Sequence, residues 1–123
     1  MNYELMSDFE INNAVAGLLE VSGVFDEFVF GNDEREVVYL CERDGLDSII
    51  PVGEFNPCND PADAWPIISG NKIKLTYEGA STILWTAMHV RHTSDLDCDY
   101  IGANSHENPL RAAMIVFLMM SEK

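Results

Sequence analysis

A chain of 123 residues, 47% of them apolar, holds enough material for one hydrophobic core, and its length argues for a single domain over residues 1–123. Seven basic against 21 acidic residues leave a formal charge of −14, which disfavours direct nucleic-acid binding through a basic patch. The longest apolar run, residues 112–120, is far short of the ~20 residues that cross a bilayer, so no membrane insertion is expected.

Ser7-Asp8-Phe9-Glu10 reads as a capping box, in which a Ser N-cap and a Glu three residues later satisfy free amides at a helix start. Ile11, Val15, Leu18 and Leu19 follow at helical spacing, and Gly23 supplies a stop. Residues 24–30 alternate imperfectly around Asp26 and Glu27, and the polar stretch Gly31-Asn32-Asp33-Glu34-Arg35 reads as a turn or exposed loop. Residues 37–41 are rich in β-formers and predict a strand. A second short strand over residues 48–52 ends near Pro51 and Gly53, with Glu42-Arg43-Asp44-Gly45 as the hairpin turn between the two.

Asp60 is a good N-cap, Pro61 suits the first helical position, and Asp63 favours the positive helix start. Pro66 limits or kinks this helix, which ends by Gly70-Asn71. Residues 72–78 alternate without error and predict a strand with Ile73, Leu75 and Tyr77 on one face. A turn at Glu78-Gly79-Ala80-Ser81 leads into a partner strand over residues 83–90. There Ile83, Trp85, Ala87 and His89 share one face, Leu84, Thr86, Met88 and Val90 share the other, and both faces look covered.

Residues 92–107 are polar and irregular. Asn108 then caps a helix that opens on Pro109 and runs through about Ser121. Leu110, Ala113, Met114, Phe117 and Leu118 make its core stripe, while Ala112, Ile115, Val116, Met119 and Met120 render it apolar nearly all round. Such a helix must be buried on two sides, by packing within the monomer or at a subunit interface, so a homo-oligomer through this helix is one expectation.

Three stretches also carry a family resemblance: Leu5-Met6-Ser7-Asp8-Phe9-Glu10-Ile11-Asn12, Asn59-Asp60-Pro61-Ala62-Asp63-Ala64-Trp65-Pro66-Ile67-Ile68, and Asn108-Pro109-Leu110-Arg111 with the apolar run that follows. They resemble the NinX family, small accessory proteins of lambdoid phages and prophages, and are similar also to the wider phage ABA-sandwich domains. The resemblance runs from near the N-terminus to the end of the chain and is weakest over residues 23–56. It implies a phage or prophage origin and a bacterial host cytoplasm. The fold expected from it and from the chain order is α+β: a layered α/β/α sandwich with a mainly antiparallel sheet of about four strands and three helices. It brings no catalytic motif and no cofactor.

Other sequence features agree with that compartment. Met1-Asn2-Tyr3-Glu4-Leu5 lacks the basic and apolar regions of an export signal, and Cys41, Cys58 and Cys98 suit reduced thiols better than a disulfide framework.

The candidate chemistry is sparse. Asp95, Asp97 and Asp99 alternate like the start of a calcium loop, but Tyr100 stands where the turn needs Gly and His106 where a bidentate Glu belongs. His89, His92, His106 and Cys98 lack a spacing that demands a transition metal. No metal site is assigned, and a metal-dependent hydrolase relying on His89 or Asp97 is the only enzymatic rival. No Gly-x-Ser-x-Gly elbow or phosphate-cradling loop is present, so the expectation is a protein that is not an enzyme. Trp65, Trp85, Arg91 and His92 could line a pocket for a nucleotide-like anion; the competing reading is two core tryptophans and a surface basic pair.

The charge is lopsided. Residues 1–63 carry 15 acids and two bases, a net of −13, against six acids and five bases, a net of −1, in residues 64–123. Solubility alone accounts for many charged faces. The functional alternative is an acidic surface, centred on Asp33, Glu34 and Glu36, that contacts a host or phage protein. The rival from another class is a protein that binds or sequesters a small nucleotide signal.

Overall fold

The computed structural model describes residues 2–23, 28–43, 49–78, 84–92 and 98–122. The chain divides into two compact units, Met1–Asn56 and Pro57–Lys123. The protein is α+β, with three α-helices and two three-stranded antiparallel sheets among the described residues.

In the first unit a 3-10 turn, Tyr3–Leu5, precedes helix α1, Asp8–Val21. The capping box forms as its residues require: Ser7 Oγ accepts from the Glu10 N–H at 3.1 Å, and Glu10 Oε1 accepts from the Ser7 N–H at 3.0 Å. Beyond Val21 the chain leaves the helix through Gly23, whose φ of +78° is a conformation glycine adopts without a Cβ penalty. Ile11, Val15, Ala16 and Leu19 form the buried stripe of α1.

Helix α1 packs on strands β1, Phe28–Asn32, and β2, Val37–Arg43. The Asn13 side chain lies over Gly31, where a Cβ would stand 2.5 Å from its Oδ1 and turn that exposed side chain aside. Glu20 ties the other end, its Oε2 accepting from the Val29 N–H at 2.8 Å. Asn12, a buried polar residue of α1, donates from Nδ2 to Asn56 Oδ1 at 2.8 Å.

Strand β3, Ile49–Phe55, completes the sheet in the order β1-β2-β3. It overruns the expected stop at Pro51 and Gly53. The reason lies in its position: β3 is an edge strand, where a residue without an N–H is tolerated. The register passes from Leu40↔Gly53 to Cys41↔Pro51, which leaves Val52 as an extra, bulged residue beside the proline. Likewise Gly31 and Asn32, expected in a loop, pair with Val38 and Val37 as the last residues of β1.

In the second unit α2, Pro61–Gly70, starts as predicted, with Asp60 Oδ1 accepting from the Ala62 N–H at 2.9 Å and Pro61 in the first turn. Pro66 lies inside it without ending it. Strands β4, Lys74–Glu78, β5, Leu84–His92, and β6, Cys98–His106, form a meander with β5 in the centre.

β6 corrects the expectation that residues 92–107 are irregular. Its polar composition hides a ladder that runs from Trp85↔His106 to His92↔Cys98, with one irregularity between His89 and Val90. Backbone pairing with a long central strand outweighs weak side-chain propensity. The expected sheet of about four strands is accordingly replaced by two sheets of three.

Helix α3, Pro109–Ser121, packs on β5 and β6, and α2 packs on α3. Residues 111–116 and Leu118 are all buried, so the all-round apolar character of α3 is met by a sheet and by a second helix. No helix among the described residues is long and apolar enough to cross a membrane.

Candidate functional site

The β1–β2 turn brings Asp33, Glu34 and Glu36 together at one exposed tip, with Arg35 between them. Strand pairing closes at Asn32↔Val37, and the four residues between form the turn. Asn32 Oδ1 accepts from the N–H groups of Glu34 at 3.1 Å and Arg35 at 3.2 Å, an Asx turn that fixes the entry to the tip. Glu36 closes it in the left-handed region, φ +54°, a conformation that costs a non-glycine residue about 1 kcal/mol. Three carboxylates are thus presented in water on a turn with its own internal hydrogen bonding. They belong to the unit that carries 13 acids and two bases, a net of −11, against eight acids and five bases, a net of −3, in the other.

The proposed pocket residues are placed differently from one another. Trp85, on β5, is half-buried and faces its cross-strand partner Tyr77, with ring centroids 5.1 Å apart and planes tilted by 52°. Tyr77 is 50% exposed, although the alternation of residues 72–78 puts it on the face of buried Ile73. Trp65 is 63% exposed on α2, so the reading of two core tryptophans fails for it. The signal was present in the sequence: Ala64, Ile67 and Ile68, at i, i+3 and i+4, define the buried face of α2 and turn Trp65 away from it. Arg91 and His92 belong to β5 by their backbone, and their side chains lie outside what is described.

Among the titratable candidates, Asp95 and Asp97 lie outside the described residues, and Cys98 and Asp99 open β6 by their backbone. His89 Nδ1 is buried on β5 and has no hydrogen-bond partner among the described residues. His106 is engaged structurally, its Nδ1 accepting from the Asn108 N–H at 2.9 Å. Among the described residues no three His, Cys, Asp or Glu side chains converge as a metal would require. Cys41 and Cys58 are buried thiols.

Asn108 is the residue that sequence reading underestimates. Its Oδ1 accepts from the N–H groups of Leu110 at 2.9 Å and Arg111 at 3.3 Å, as an N-cap should. Its Nδ2 also donates to the Cys58 carbonyl at 2.6 Å and lies 3.4 Å from Asn59 Oδ1. One amide thereby fastens the turn before α2 to the start of α3, two segments 50 residues apart. Each segment holds one of the three stretches that carry the family resemblance, and Asp60 and Asn108 act in them as helix caps.

No match emerged among curated proteins or among solved structures. The family model described as Bacteriophage P22, NinX matches residues 2–121, nearly the whole chain, and the protein belongs to that family.

Proposed function

We propose that this NinX-family chain is a non-enzymatic phage accessory protein that acts by binding a host or phage protein through the carboxylates of Asp33, Glu34 and Glu36. The observation that carries this reading is the β1–β2 tip: three exposed acids on an internally hydrogen-bonded turn, in a unit of net charge −11. A tip so ordered loses little conformational freedom on docking, and its field attracts a cationic protein surface, including one that otherwise holds DNA. The protein works in the bacterial cytoplasm, where the Cys41 and Cys58 thiols stay reduced.

The test begins with a partner pulled down from infected cells and purified. Replacing Asp33→Asn, Glu34→Gln and Glu36→Gln together is expected to weaken its binding at least tenfold at low salt and to flatten the salt dependence, because exposed charges steer association. Unchanged affinity and salt slope would show that the tip is not the contact.

A second reading is favoured by one observation, the partly exposed Tyr77–Trp85 pair, a surface on which a planar ligand could stack. A small nucleotide signal bound there would raise the melting temperature by mass action in a thermal-shift screen. No stabilisation across nucleotides would remove this alternative.

A further inference from the structure

We infer that strand β4 is the contact through which two copies of this chain associate, its outer edge pairing antiparallel with the same edge of a second copy about a two-fold axis at Thr76. The contact is separate from the hairpin carboxylates and does not rest on the reading built on them. β4 pairs with β5 on one side, and among the described residues no strand lies along its other side. Such an edge presents a row of backbone N–H and C=O groups ready for a further strand. Its sequence, Lys74-Leu75-Thr76-Tyr77-Glu78, reads as its own complement when turned end for end. A turn centred on Thr76 sets Lys74 opposite Glu78 of the second copy, Leu75 opposite its Tyr77, and Thr76 opposite its Thr76. Opposite charges at both ends and a Thr–Thr pair in the centre are combinations that stabilise a sheet. Within one chain Lys74 and Glu78 stand about 13 Å apart along the extended strand, too far to pair with each other.

The faces agree as well as the order. A two-fold axis normal to the sheet keeps each face on its own side, so two copies make one six-stranded antiparallel sheet in the order β6-β5-β4-β4-β5-β6. Leu75, half-buried, and Tyr77, 50% exposed, lie on the face of buried Ile73, and there the flank of Tyr77 gains Leu75 of the second copy. On the opposite face Thr76 stands across from Thr86, whose Oγ1 is 2.9 Å from Ser105 Oγ, so the pairing joins two rows of hydroxyls at the axis. Exposed Lys74 shares that face, and Glu78 takes its place on it by backbone register.

Charge selects a second copy as the occupant. Of the four edge strands described, β1 carries no charged residue, β3 and β6 carry one acid each, Glu54 and Asp99, and β4 alone carries both signs. A two-fold contact through β3 or β6 gains no Lys–Glu pair. Through β4 it gains one at each end, in a molecule whose net charge of −14 otherwise keeps copies apart. A strand of unrelated sequence meets the backbone demand and matches neither end. Five residues a side is a small contact, so the dimer belongs to the weak, concentration-dependent class.

Sedimentation equilibrium of the full chain over a wide concentration range tests this with Lys74→Glu, with Glu78→Lys, and with an equal mixture of the two variants. The native chain should show a monomer–dimer equilibrium. Each variant alone sets like charges opposite one another at both ends and should weaken self-association by about tenfold or more. General repulsion predicts a different pattern: Lys74→Glu makes the chain more negative and Glu78→Lys makes it less so, which would leave the second variant the tighter dimer. In the mixture every end again sets an acid opposite a base. The two variants should therefore associate with each other as tightly as the native chain does with itself, which also shows that both are folded. A native chain that stays monomeric throughout, a dimer indifferent to both substitutions, as one built on α3 would be, an association strengthened by Glu78→Lys, or a mixture that fails to restore the dimer would each overturn the inference.

Discussion

Asn108 shows how much one side chain can hold. Its side chain satisfies two amides at the start of α3 and reaches the carbonyl of buried Cys58, while its backbone N–H donates to His106 Nδ1. Asn108→Ala removes the cap and the cross-link together and is expected to cost about 2–3 kcal/mol, the sum of a cap and a net hydrogen bond. Asn108→Ser keeps a cap acceptor and is too short to reach Cys58, so urea unfolding should place it between the parent and Asn108→Ala. At Gly23 the issue is backbone rather than side chain: Gly23→Ala forces a Cβ into φ +78° and should cost about 1–2 kcal/mol, although open space surrounds it. A Gly23→Ala protein as stable as the parent would mean that the chain after α1 does not need the left-handed turn.

At the level of elements, what could be read from the sequence separates from what could not along a physical line. The starts of all three helices were legible, because a cap is a contract between residues close in the chain: Ser7 with Glu10, Asp60 with Pro61, Asn108 with Pro109. So was the core stripe of α3, although Leu110 and Phe117, expected in it, are only half-buried. β6 was illegible because its reason to exist is β5, and residues 98–106 show no alternation of their own. The run of β3 through Pro51 was illegible for a related cause, since whether a strand lies at an edge is settled by its neighbours. Of the candidate site, the acidic turn was visible as a charge cluster, whereas its Asx hydrogen bonds and the left-handed Glu36 needed coordinates. Two measurements bear on the elements. Amides of β6 paired with β5 should exchange slowly with solvent, and uniformly fast exchange across residues 98–106 would deny the strand. Met114→Ala, at a side chain with no exposure, should cost about 2–5 kcal/mol, and Phe117→Ala less.

At the level of the whole molecule, charge of one sign prevails. A net of −14 on 123 residues opposes compaction, and most of it, −11, resides in residues 1–56. Salt shortens the reach of that repulsion to roughly 8–10 Å near physiological ionic strength. The melting temperature should therefore rise as sodium chloride increases from low millimolar to about 0.15 M, where surface screening has most of its effect. The same addition should weaken the binding proposed for the hairpin tip. A melting temperature indifferent to salt would mean that the acids are already compensated by local partners.

The bulge on β3 bears on how the protein behaves in a crowded solution. Ile50 and Val52, 47% and 51% exposed on an edge strand, are the ingredients of unwanted strand addition between molecules. Between them Pro51 offers no N–H to an incoming strand, and the extra residue twists the edge out of the flat geometry that a growing stack of strands requires. The interruption that hid where this strand ends thus leaves it a poor seed for aggregation.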